Sequence, residues 1–147
     1  MTRSQALDLE FFGATEIIAS FLAPVEDGFV LFDTGPASAV DVLESRVNEA
    51  GFGLDQLQAV FATHVHLDHF GGAGVLVRKT GCRVFSHPVG VSHLVHPEKK
   101  LLPSAERIYK DMMVPLWGVT EGAPEDQVCA VGDGESVVVG GLEVVAH

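Results

Sequence analysis

Apolar residues dominate Leu9 to Ala23 and return as an unbroken run at Phe29-Val30-Leu31-Phe32, with Glu26-Asp27-Gly28 between them. An Asp-Gly pair flanked by apolar runs is a strong turn signal, so this stretch is predicted to form a β-hairpin. After Asp33-Thr34-Gly35-Pro36 the apolar period becomes helical. Val40, Leu43 and Val47 share one face, Ser38 precedes them as a candidate cap, and Gly51 and Gly53 close the segment near Ala50. Asp55 to Leu57 reads as a linker and Val60 to Thr63 as a strand. A second helix is expected to start within the histidine-rich run that follows and to continue through Val75 to about Lys79.

Gly81 stops that helix, and Arg83-Val84-Phe85-Ser86 is a further strand before Pro88. Strand, helix, strand, helix, strand is the order of an α/β protein. The region from Pro88 to Pro115 is predicted to be mostly helical, with Ser104 as a cap, Glu106 in the first turn, and Ile108, Met112 and Leu116 on one face. Val128 to Val131, Ser136 to Val139 and Leu142 to Ala146 are apolar runs separated by glycine-rich turns, the pattern of a β-meander.

Composition narrows the classes. A chain of 147 residues that is 47% hydrophobic suits one ordinary domain with a real core. Its 9 basic against 20 acidic residues leave a net charge of -11, which argues against nucleic acid and anionic membranes, since both select a basic face. Cys82 and Cys129 lie far apart among apolar neighbours, as expected of buried free thiols in a reducing cytoplasm. Asp8, Glu10 and Glu16 interrupt any signal-peptide core between Met1 and Ala23. No run approaches the ~18 apolar residues of a membrane span, so a soluble cytoplasmic protein is expected.

The candidate chemistry lies in His64-Val65-His66-Leu67-Asp68-His69, entered from Ala59-Val60-Phe61-Ala62 and left through Phe70-Gly71-Gly72. On an extended exit from a strand, residues two apart point the same way, so His64 and His66 can grip one ion. Asp68 and His69 follow as the chain bends into a helix and suit a second, nearby ion. Nitrogen and carboxylate donors of this kind accept zinc, iron or manganese. His87, at a strand end between Ser86 and Pro88, is either a pocket-rim residue or a structural one. His93 and His96 read as surface or packing residues, and Trp117 as core.

These residues resemble the metallo-β-lactamase fold superfamily of metallohydrolases. The His-x-His-x-Asp-His hallmark is matched by His64, His66, Asp68 and His69. A strand ending in aspartate and then Thr-Gly is matched by Phe32-Asp33-Thr34-Gly35. Leu102 to Gly118 is similar to a group of largely uncharacterised hydrolases within it. The resemblance implies an α/β (α+β) fold, an αββα sandwich with the site at one edge. It implies two zinc ions, the first on His64 and His66 and the second on Asp68 and His69. A bridging hydroxide would attack a small ester, thioester, amide or phosphodiester, with Asp68 orienting or deprotonating the water. Asp33 would lie beneath the ligands, hydrogen-bonding one of them or the motif backbone.

The family's site is completed by a histidine in a Pro-Gly-His context, a bridging aspartate and a final histidine. Here the last strand runs Leu142-Glu143-Val144-Val145-Ala146-His147, and His147 matches the position before those ligands, so it is not expected to bind metal. The match is therefore to the N-terminal half of a single domain that is incomplete at its C-terminal side. With two ligands per ion the chain alone is expected to be inactive or weakly active. With a mean hydropathy of +0.28, its sheet is expected to pair with the C-terminal half or with a second copy. The alternative is a non-catalytic half-domain acting as a binding or assembly module.

Overall fold

The structure, a computed structural model, describes residues 3–147; the first two positions of the stretch weighed as a signal peptide lie outside the described residues. The predicted hairpin is present, with narrower strands. β2 (Ala19–Val25) and β3 (Gly28–Phe32) pair antiparallel with Val25 opposite Gly28, which leaves Glu26 and Asp27 as the two-residue turn. Asp27 takes φ 62, the left-handed conformation that such turns require. The apolar stretch from Leu9 is not one strand. A short β1 (Gln5–Asp8) pairs with β2, and the chain between them is a loop with a single 3-10 turn at Phe11–Gly13.

β3 continues in parallel to β4 (Leu57–Phe61), β5 (Arg83–Ser86) and β6 (Val128–Ala130), giving a six-stranded sheet in the order β1-β2-β3-β4-β5-β6. The intervening chain forms α1 (Val40–Glu49), α2 (Leu67–Phe70), α3 (Ala73–Thr80), α4 (Pro88–Val95), α5 (Leu101–Tyr109) and α6 (Met113–Trp117). The predicted meander is a misreading. Val128–Ala130 joins the large sheet as a parallel edge strand, and only β7 (Ser136–Val139) and β8 (Leu142–Val145) form a hairpin, in a second sheet.

Alternation along the strands explains the layers. Leu31, Val60 and Val84 face Leu43, Val47 and Leu76 of the helices. Val30, Ala59, Phe61 and Phe85 face the other way, against Val131 and Val139 beside and on the hairpin. A sheet buried on both faces needs unbroken apolar strands, which is why Phe29 to Phe32 shows no polar alternation.

Three local expectations are corrected. Ser38 does not cap α1: the helix starts at Val40 after a 3-10 turn, and the Ser38 hydroxyl donates to the Leu116 carbonyl at 2.6 Å. Ser104 lies inside α5, which already starts at Leu101. Ile108 and Met112 are exposed, because the backbone breaks at Lys110 with φ 47 and the face expected to unite them with Leu116 is interrupted.

Candidate metal centre

Parallel strands end together, so the loops after β3, β4 and β5 meet along one edge of the sheet, the usual place for a site in such folds. Asp33 follows β3, Thr63 to His69 follow β4, and His87 follows β5. The motif is held from both ends. Leu67 and Phe70 are buried anchors, and the amides of His69 and Phe70 bond back to the His66 carbonyl at 2.9 and 3.0 Å, forming α2 with His66 at its N-cap. Gly71 fits because a Cβ there would strike the Leu67 carbonyl and the backbone of Pro36.

His64, His66 and His69 form one cluster, with ring centres 4.8 Å apart for His64 and His66 and 4.0 Å apart for His64 and His69. Asp68 Oδ2 stands 3.3 Å from His69 Nε2. Among the described residues no three histidine, cysteine, aspartate or glutamate side chains are grouped so as to hold an ion together. The separation in the Asp68–His69 pair suits an ion. Two ligand atoms at about 2.0–2.1 Å from a tetrahedral zinc are about 3.3 Å from each other.

Asp33 underlies this cluster. It is buried, takes φ 60, and its backbone is pinned by Asp33 N–H to the Phe61 carbonyl at 2.9 Å and by the Ser20 hydroxyl to its own carbonyl at 2.8 Å. Its Oδ1 accepts from the Thr63 amide at 2.8 Å, and its Oδ2 accepts from the Thr63 hydroxyl at 2.7 Å. The same Oδ2 lies 2.8 Å from His69 Nδ1. A carboxylate can only accept, so this His69 nitrogen carries the proton and Nε2 is left facing Asp68. The neighbouring Thr34 and Gly35 amides both donate to the His69 carbonyl, at 2.7 and 3.2 Å. Burial, and then the neighbouring imidazoles of His69 and His66, lower the His64 pKa from its ordinary value.

Reasoning from sequence missed Thr63 and Thr34. Their signal was adjacency: one immediately precedes His64 and the other immediately follows Asp33. His87 and His147 both line a cleft of about 700 Å³ that also takes in His64, Phe61, Phe85 and Val144. His87 also caps α4, its Nδ1 accepting from the Val89 amide at 3.2 Å. His96 pairs with Glu98 at 3.2 Å on the surface. Trp117 is half-buried, stacked on Phe11 at 5.5 Å and edge-on to Tyr109 at 5.2 Å, a packing role. Cys82 is buried and Cys129 half-buried, both as free thiols.

The fold is thus a six-stranded mixed sheet with helices on one face, a second sheet on the other and a histidine-aspartate cluster at the strand ends. The sequence pattern of the Metallo-beta-lactamase superfamily matches residues 16–145, and the chain belongs to that superfamily. The structure is similar to native FEZ-1 metallo-β-lactamase from Legionella gormanii, with a TM-score of 0.76 and 18% identity over 99% of this chain and 50% of that one. It is similar to BJP-1, a subclass B3 metallo-β-lactamase of Bradyrhizobium japonicum, with a TM-score of 0.70 and 20% identity over 100% of this chain and 49% of that one. The metallo-β-lactamase SMB-1, solved in a complex with mercaptoacetic acid, matches with a TM-score of 0.73 and 25% identity over 99% of this chain and 50% of that one. This chain spans about half the length of these structures. Among the described residues no helix is long and apolar enough to cross a membrane.

Proposed function

We propose that this chain carries the first two ligand pairs of a dinuclear metal centre, His64 with His66 and Asp68 with His69, in a hydrolase acting on a small ester, thioester, amide or phosphodiester. The observation that carries the reading is the Asp33 carboxylate, which keeps the proton on His69 Nδ1 and so presents Nε2 beside Asp68 at 3.3 Å. The donor set suits zinc first, with iron or manganese as alternatives. When bound, such ions lower the pKa of a coordinated water and polarise the bond under attack. Asp68 serves both as ligand and as the group that orients or deprotonates the attacking water. The phenylalanine row Phe32, Phe61 and Phe85, stacked at 5.3 and 5.0 Å, supplies an apolar floor that keeps bulk water from one side of the cleft.

Two ligands per ion are fewer than a stable site uses. The remaining ligands, in this reading, come from a second half-domain that packs on the cleft side of the sheet and on the outward-facing Val138 and Val145 of the hairpin, which are 64% and 45% exposed. The half-length match to the related structures supports this. Those same exposed valines equally favour a second reading, a non-catalytic half-domain used for assembly, with a second copy as partner. The two free thiols support a reducing cytoplasm.

Metal content and hydrolysis of model esters and amides, measured for this chain and for a polypeptide that also carries the second half-domain, test the proposal. The longer protein is expected to hold zinc and turn over substrate, and the short chain to show little activity. A longer protein without metal would overturn the enzyme reading.

A further inference from the structure

Thr63 sits between two members of the cluster and has been given no task. Its hydroxyl contacts Asp33 Oδ2 at 2.7 Å and His64 Nδ1 at 3.1 Å, and its own amide donates to Asp33 Oδ1 at 2.8 Å. A hydroxyl has one proton. Asp33, an ionised carboxylate, accepts it, so towards His64 the Thr63 oxygen can only accept. That bond forms only when His64 Nδ1 carries a proton, which leaves the lone pair on Nε2. A histidine free in water favours the opposite form, with the proton on Nε2.

We propose that Thr63 is a positioning residue that relays the charge of Asp33 to His64 and fixes the tautomer in which His64 Nε2 is the donor nitrogen. Asp33 thereby sets two imidazoles at once, His69 directly at 2.8 Å and His64 through the Thr63 hydroxyl. The two ring centres are 4.0 Å apart. The consequence for ligation rests on the reading of His64 as a metal ligand; the consequence for the tautomer does not. Ligand imidazoles are commonly held in this way, and the loss of such a partner typically weakens metal binding by about 10- to 100-fold.

The test uses histidine-labelled protein and long-range proton–nitrogen NMR, first without metal and near neutral pH. His64 is expected to show a protonated Nδ1 and an unprotonated Nε2, and His69 a protonated Nδ1. Thr63→Val and Thr63→Ala should shift His64 alone towards the Nε2–H form, while Thr63→Ser keeps the hydroxyl and restores the original pattern. Zinc titration against a chelating dye, with each substitution carried in the polypeptide that also holds the second half-domain, should then show about 10- to 100-fold weaker binding for the Val and Ala variants and wild-type binding for Ser. An Nε2–H form of His64 in the unaltered protein, or a tautomer indifferent to removal of the hydroxyl, overturns the relay. A tautomer that shifts while zinc affinity stays unchanged overturns its role in ligation. The absence of zinc binding in every form, with the tautomers as expected, refutes the metal-centre reading and leaves the relay standing.

Discussion

Asp33 shows how much of the site depends on one side chain. Aspartate tolerates the left-handed backbone better than most residues. Here φ 60 turns a buried carboxylate from the end of β3 towards a histidine 36 residues away. Asp33→Asn is a sharp probe: with its NH2 at the Oδ1 position it sets a donor against the Thr63 amide, and at the Oδ2 position it fits only if the Thr63 hydroxyl turns to accept and His69 moves its proton off Nδ1. The variant is expected to lose about 1–3 kcal/mol of stability in urea unfolding, the cost of buried polar groups left unpaired. It should also weaken zinc binding by about 10- to 100-fold. Unchanged unfolding and unchanged zinc affinity would show that the carboxylate charge is not needed.

His64 gives a pH signature. Its folded pKa lies below its ordinary value, so on acidification the unfolded chain takes up the proton first. Its contribution to stability is full above about pH 6.5 and is lost as pH falls from there through the lowered folded value. Denaturation of metal-free protein at a series of pH values should therefore show a decline on the acid side that is shallower in His64→Gln. The four motif residues stood out in the sequence because they are neighbours in the chain, and the structure draws His64, His66 and His69 into one cluster with Asp68 beside His69. The resemblance put Asp33 beneath the motif without naming its partners, and Thr63 and His69 meet it only through the parallel pairing of β3 with β4, 30 and 36 positions along the chain.

Among the elements, the first hairpin and the strand after Gly81 were read well, while the strand expected over Val60 to Thr63 starts earlier and spans Leu57–Phe61. Arg83 to Ser86 is a strand with those same bounds, and Val25 and Gly28 flank the turn placed near Asp27. Errors arose where tertiary contacts outweigh local preference. Ser38 has the chemistry of a cap but gives its proton to the Leu116 carbonyl, because α6 packs on that turn. The three C-terminal apolar runs have the spacing of a meander, yet the first pairs with β5, a partner more than 40 residues earlier in the chain for each residue of the ladder. Gly71 illustrates the opposite case, a sequence signal with a clear steric cause. Gly71→Ala drives a Cβ into the Leu67 carbonyl and Pro36 at the end of α2. It should cost about 1–3 kcal/mol, read as a shift in the urea midpoint with an unchanged slope. A neutral result would mean that α2 and the Pro36 turn can separate freely.

At the scale of the molecule, the six-stranded sheet has a full helical layer on one side and a single hairpin on the other. This asymmetry accounts for the cleft of about 700 Å³ beside the histidines. The outer face of the hairpin exposes Val138 and Val145. If that face receives a second half-domain or a second copy, Val138→Lys with Val145→Lys should abolish the association seen by sedimentation while leaving the helical side of the sheet intact. Association unaffected by both charges would place the interface elsewhere.

The central claim is that the histidine-aspartate run is a metal centre, and a cobalt(II) titration followed by visible absorbance addresses it most directly. The polypeptide that also carries the second half-domain is expected to give saturable absorbance of four-coordinate nitrogen and oxygen ligation, and its variant with His64, His66, Asp68 and His69 all changed to alanine none. A flat titration of that longer protein, or the same curve from the variant, would contradict the account.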